Sequence, residues 1–175
     1  MAAIAAGVTA LWASGGCSST SPAPSAEAPA DFSVAVVVRV PDAQADAWTA
    51  GDRSQPRAVR PARYLLEADD LLRVVIGPGG LPKTFPPPTR RLTKSQVEAL
   101  WHRVRDSGLL TEGEQASREA LGQEFADKPA PVSEPMALMV IRADGHRIYR
   151  REAMAPGSAA YQLMDALAEL AWIDP

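Results

Sequence analysis

The sequence is poor in the residues that build metal centres and disulfide frameworks. Its 175 residues include one cysteine and two histidines, so an intramolecular disulfide is excluded and the usual zinc ligand sets cannot be assembled. The 18 lysine and arginine residues are outweighed by 21 aspartate and glutamate residues, for a formal charge of −3. This balance argues against a general nucleic-acid-binding protein. We therefore expect no metal, no cofactor and no nucleic-acid partner.

Charged residues are also missing from the first 26 positions, where the chain is apolar and then rich in small residues. Met1–Ala13 is an apolar run broken only by Thr9, too short for a spanning helix, which needs about 20 residues. Its length is typical of the apolar core of a signal peptide. Residues 18–30 are mostly Ser, Thr, Pro, Ala and Glu, a composition that cannot bury enough apolar surface to fold.

The segment Ser14-Gly15-Gly16-Cys17, which follows the apolar run, resembles the lipobox of bacterial lipoprotein precursors. The resemblance implies a signal peptide over residues 1–16, acyl chains on Cys17, and a membrane-attached, extracytoplasmic place in the cell envelope. Residues 17–31 would form a disordered tether and residues 32–175 a single domain. Two alternatives are secretion without a lipid and a cytosolic protein with an unusual start.

The pattern beyond the tether alternates strands and helices and predicts an α+β domain. We expect an antiparallel sheet of about five strands with two main helices packed on one face. Predicted strands cover residues 32–40, 64–67, 71–76, 136–143 and 146–153, the last two joined by Asp144-Gly145, a strong hairpin signal. A capping box at Thr93 and Gln96 begins a helix that ends near Ser107, and a second helix follows Ser158. Residues 41–61 are predicted to be a loop, and Phe85–Thr89 an extended polyproline segment.

The order hairpin, helix, hairpin, helix between Tyr64 and Leu170 resembles small bacterial protease-inhibitor-like domains of the emfourin type. The resemblance implies a module that inhibits a secreted protease, and its generic apolar residues assign no binding position.

Side chains suited to catalysis do not form a recognisable pattern. His102 and His146 are expected to be exposed, with no ligand-spaced partner. Asp69 and Asp70 are expected to be turn residues, and Gly77–Gly80 lacks the ending of a phosphate-binding loop. We predict no catalytic residue, although a small envelope hydrolase whose residues converge only in the fold is an alternative.

The distribution of basic residues is uneven along the chain. Residues 53–105 carry eleven basic and four acidic side chains, a net charge of +7, whereas residues 111–134 carry −4. The simplest interpretation is a solvated basic surface whose charge is balanced by the acidic segment of the same molecule. The alternative is a basic face that contacts anionic lipid or a cell-wall polymer, with candidate contacts at Arg60, Arg63, Arg90, Arg91 and Lys94. Together these patterns predict a lipid-anchored, non-catalytic domain that binds an envelope protein or an anionic polymer.

Overall fold

The fold is seen in a computed structural model that describes residues 26–78, 85–110 and 131–173. These ranges contain six strands and three α-helices, so the α+β class is confirmed with one more strand and one more helix than expected. In chain order they are β1 (Ser33–Arg39), α1 (Asp42–Thr49), a 3-10 turn (Arg57–Val59), β2 (Ala62–Leu66), β3 (Leu71–Ile76), β4 (Pro88–Arg91), α2 (Lys94–Asp106), β5 (Met136–Ala143), β6 (His146–Ala153) and α3 (Ala159–Leu170).

The six strands form one antiparallel sheet in the order β4-β3-β2-β1-β5-β6. The β5–β6 hairpin has the register that a two-residue Asp144-Gly145 loop requires, in which Ala143 lies opposite His146. Asp144 and Gly145 have φ angles of 51° and 76°, and positive φ at both central residues is what a type I′ turn requires. The strand order places β4 and β6 at the two edges of the sheet.

One hydrophobic core lies between a single face of the sheet and the two longer helices. Alternate residues of β1, β2, β3 and β5 join the buried stripes of α2 and α3 in one cluster, as period-2 and period-3.6 patterns require. The Phe32 and Trp101 rings meet edge to face, with centroids 5.3 Å apart. The predicted capping box at Thr93 and Gln96 is formed, and the flanking Leu92 and Val97 are buried. Packing of both helices on one face is confirmed.

The predicted loop over residues 41–61 contains a helix and a 3-10 turn. Helix α1 (Asp42–Thr49) has three alanines, which favour a helix, but Trp48 is its only buried residue. A helix with so little buried surface lacks an apolar stripe, which is why periodicity missed it.

The predicted polyproline segment ends in a short edge strand. Pro88 begins β4 and lies opposite Arg73 beside an irregularity in the register. Proline has no backbone N–H and is tolerated at the first residue of an edge strand. Strand β4 forms because it pairs with β3. The local preference of prolines for polyproline II therefore did not predict this strand.

The domain includes residues that the sequence assigned to the tether. The Ala28 N–H donates to Glu98 Oε2 at 3.0 Å, and the Asp31 carboxylate accepts the N–H groups of Asp144 and Gly145 at 2.9 and 2.8 Å. These contacts join the chain before β1 to α2 and to the β5–β6 turn. Ala28 and Asp31, which the sequence analysis assigned to the tether, are therefore held against the folded domain.

Other predicted features fall outside the described residues. They are the signal peptide, Cys17, the first part of the tether, and Gly79 and Gly80.

Candidate binding surface at the β4 edge

The two histidines are exposed and lie on different elements. His102 is on α2 and His146 begins β6. Four positions after His102, a hydrogen bond from Arg105 lowers the pKa of Asp106. A shallow cleft of about 190 Å³ between residues 28–32, the β2–β3 turn and the start of α2 is lined by Asp70, Lys94 and Glu98, but by neither histidine.

The acidic pair in the β2–β3 turn has structural roles. Asp69 accepts from the Arg91 guanidinium at 3.0 Å, and this hydrogen bond lowers the pKa of Asp69. Asp70 has a φ of 68°, a conformation that aspartate tolerates in turns.

Of the five predicted surface cations, Arg60 is not on the surface. Its side chain is 6% exposed, and its guanidinium donates to the carbonyl oxygens of Gln55 at 2.9 Å and Arg53 at 3.3 Å. The Arg60 Cζ atom lies 6.0 Å from the centre of the Trp48 ring. Arg60 therefore stabilises the connection over residues 50–61 from within the domain, and it is not a surface contact as the sequence predicted.

Arg63 faces away from α2 and α3. It lies between Val37 of β1 and Val75 of β3 in the register of the sheet, is half-buried, and burial lowers the pKa of its guanidinium. The sequence-predicted cations thus do not form one face of the domain.

Arg90, Arg91 and Lys94 do lie close together in the chain, on β4 and at the start of α2. Arg91 and Lys94 are exposed, and Arg90 is half-buried. Arg91 is paired with Asp69, whereas the contacts that the structure records for Arg90 are to an indole ring and a carbonyl oxygen.

Two arginines at this edge stack on exposed aromatic rings. The Arg73 Cζ atom lies 4.7 Å from the centre of the Phe85 ring, and the Arg90 Cζ atom lies 4.2 Å from that of Trp172. Phe85 is 60% exposed and Trp172 67%. We call Arg73, Phe85, Arg90 and Trp172 the arginine–aromatic edge.

The tertiary structure brings each of these arginines to its ring, and the sequence did not predict either pair. Charge counting identified Arg90 but not its ring, since Trp172 is 82 positions away in the chain. The available signal was a tryptophan two positions after the last helix and a phenylalanine directly before three prolines, both outside any apolar stripe.

Trp172 has an unusual backbone conformation. Its φ is 57°, its N–H donates to the Glu169 carbonyl at 3.0 Å, and the Ile173 N–H donates to the Ala168 carbonyl at 2.9 Å. These bonds form a Schellman motif at the end of α3, in which the left-handed position is usually glycine. A tryptophan there costs about 1 kcal/mol or more.

Within the described ranges, no group of three or more His, Cys, Asp or Glu side chains is placed to hold a metal ion. The same residues contain no helix long and apolar enough to cross a bilayer. No family model, no curated protein and no solved structure matches the chain, so the two resemblances stay predictions.

Proposed function

We propose that this chain is a membrane-anchored, extracytoplasmic lipoprotein with a small, non-catalytic binding domain. The observation that carries the proposal is the position of the only cysteine, Cys17, directly after an apolar run and three small residues. Several acyl chains on its sulfur would give durable attachment, because each buried CH₂ contributes about 0.8 kcal/mol.

Surface composition supports a binding role. The described residues present two arginine-stacked aromatic rings at a sheet edge, and tryptophan and arginine are the side chains that most often dominate binding energies. A histidine beside a carboxylate in a cleft would favour the hydrolase alternative. The cleft beside α2 is lined by the carboxylates of Asp70 and Glu98 and by neither histidine. A protein or an anionic envelope polymer is the ligand class that we favour.

The anchor is tested by labelling with palmitate in a bacterial host. We expect label on the wild-type protein and none on Cys17→Ser, because the thiol is the acyl acceptor. Ser18→Ala, one position further along, is the matched control and should keep the label. Equal labelling of the wild type and Cys17→Ser, or no label on either, would overturn the anchor.

The inhibitor alternative depends on the order of elements. Both hairpins and both longer helices occur in the expected order, with β4 inserted between the first hairpin and α2. Inhibition of a secreted metalloprotease by the purified protein would favour this alternative over binding of an envelope polymer.

A further inference from the structure

The large apolar side chains that the structure exposes are concentrated at one edge of the sheet. In the described ranges they are Ile76, Phe85 and Trp172. Ile76 ends β3, Phe85 lies three residues before β4, and the Trp172 ring lies against Arg90 of β4. Single exposed apolar residues are ordinary on a protein surface, but three beside the same two strands indicate a contact surface.

Trp172 is held in place although it is exposed. Its backbone is in the left-handed region, where glycine is favoured, and the ring is stacked on Arg90, whose guanidinium also donates to the Leu170 carbonyl at 3.4 Å. The domain therefore keeps a less stable residue at the end of α3 in order to present an indole to its surroundings. Strain of this kind is concentrated at ligand-binding positions.

The chemistry of this edge fits the headgroup region of a bilayer. Tryptophan is enriched at the membrane–water interface because its ring is largely apolar and its N–H is polar. A guanidinium pairs with lipid phosphate through charge-assisted hydrogen bonds. In the described part of the chain, no carboxylate is recorded beside Arg90, so its charge is available to an anionic partner, whereas Arg73 and Arg91 are paired with Glu67 and Asp69.

The position of the lipid-bearing residue allows this contact. Eight residues separate Cys17 from Ala26, so the nine residue steps between them span at most about 30 Å when extended. The chain then reaches Ala28, which is bonded to Glu98 in the second turn of α2, and α2 follows β4 after two residues. Strand β3 has six residues and is about 20 Å long. Because the extended segment before Ala26 is longer than this strand, both ends of the β4 edge can reach the bilayer that would hold Cys17.

We infer that the β4 edge docks the domain onto an anionic bilayer, with Trp172 and Phe85 in the headgroup region and Arg90 facing lipid phosphate. The inference rests on the proposed lipid anchor, which keeps a weak contact at high local concentration. Docking would direct β6, at the opposite edge of the sheet, away from the membrane and towards a partner.

The test uses the full protein purified from a bacterial host and mixed with vesicles of phosphatidylcholine and phosphatidylglycerol. The vesicles contain brominated lipid, and the measurement is tryptophan fluorescence. Bromine quenches only rings at the bilayer. Trp12 is removed with the proposed signal peptide, and Trp48 and Trp101 are buried. We expect quenching in the wild type and loss of most of it in Trp172→Phe. Arg90→Ala should remove the dependence on phosphatidylglycerol, whereas Arg147→Ala, an exposed cation on β6, should behave as the wild type.

Folding defects are separated from docking by Trp172→Gly. Glycine relieves the left-handed backbone, so this variant should melt at or above the wild-type temperature while losing the quenching. Equal quenching in the wild type and Trp172→Phe, or quenching that salt and phosphatidylglycerol do not change, would overturn the inference and favour a protein ligand at this edge. Mass spectrometry of the same sample reports on Cys17. An acylated protein without Trp172 quenching rejects docking alone, and an unmodified sulfur rejects the anchor.

Discussion

At the scale of single residues, arginine serves several structural purposes in this domain. Arg60 is buried against carbonyl oxygens, Arg53 stacks on Trp48 with its Cζ atom 3.7 Å from the ring centre, and Arg91 pairs with Asp69. The guanidinium group is planar and carries five donors, so it can satisfy carbonyls, carboxylates and rings. A count of basic residues therefore overstates the charge that is available on the surface.

The Tyr64 hydroxyl is a polar group buried in the core. Tyr64 is fully buried, and its hydroxyl oxygen has no hydrogen-bond partner in the described residues. Burial raises the pKa of the phenol well above its ordinary value. We expect Tyr64→Phe to raise the free energy of unfolding by about 1 kcal/mol in urea titrations, because it removes a desolvated group that gains no hydrogen bond. The half-buried Tyr161 is the control, and Tyr161→Phe should change little. A less stable Tyr64→Phe protein would mean that the hydroxyl has a partner.

At the scale of elements, an ion pair joins the 3-10 turn to α3. Arg57 Nε lies 2.6 Å from Asp165 Oδ1, and Arg57 also reaches Glu169 at 3.4 Å. These contacts connect the segment before β2 with the helix that covers the sheet, across more than 100 positions of sequence. The hydrogen bond from Arg57 lowers the pKa of Asp165.

Asp165→Asn should lower the free energy of unfolding by about 1 kcal/mol at pH 7, a modest value because Asp165 is partly exposed and the pair is screened. A lowered pKa in the folded state means that the carboxylate stabilises the fold above the unfolded-state pKa of about 3.9 and loses this effect as the pH falls. The difference between wild type and variant should therefore shrink below pH 4. Denaturant titrations across this pH range measure it.

The control for this pair is Glu169→Gln, which removes the longer and more exposed contact and should have a smaller effect. A difference between wild type and Asp165→Asn that is independent of pH would contradict the assigned role.

At the scale of the whole molecule, the chain before β1 is part of the domain. Asp31 binds the β5–β6 turn through two N–H groups, and these hydrogen bonds, that from Gly145 first, lower the pKa of its carboxyl. Ala28 is held by α2. Two residues of the proposed tether are therefore bonded to the folded domain.

A chain that begins at residue 32 should be less stable than one that begins at residue 26. The shorter chain loses the Asp31 and Ala28 hydrogen bonds, which together contribute about 2 kcal/mol. Its melting temperature should be about 4 to 8 °C lower in a thermal unfolding experiment. The chain from residue 26 should match the longer protein. Equal melting of both truncated chains would place the boundary at residue 32, as composition predicted.

Local signals were sufficient where they agreed with the surrounding fold. The capping box at Thr93, the Asp144-Gly145 turn and the two longer helices were all predicted, because short-range chemistry defines them. Helix α1 and strand β4 were missed. The first buries only Trp48, and the second has proline at its start and depends on pairing with β3.

The sequence alone determined the α+β class, the register of the β5–β6 hairpin and the burial of both longer helices on one face of the sheet. Each follows from periodicity and turn chemistry within a few residues. Only the tertiary structure decided that Arg60 is internal, that Trp172 lies on Arg90, and that Asp31 belongs to the domain. These contacts join residues that are far apart in the chain. A local sequence pattern does not show which distant groups will meet when the chain folds.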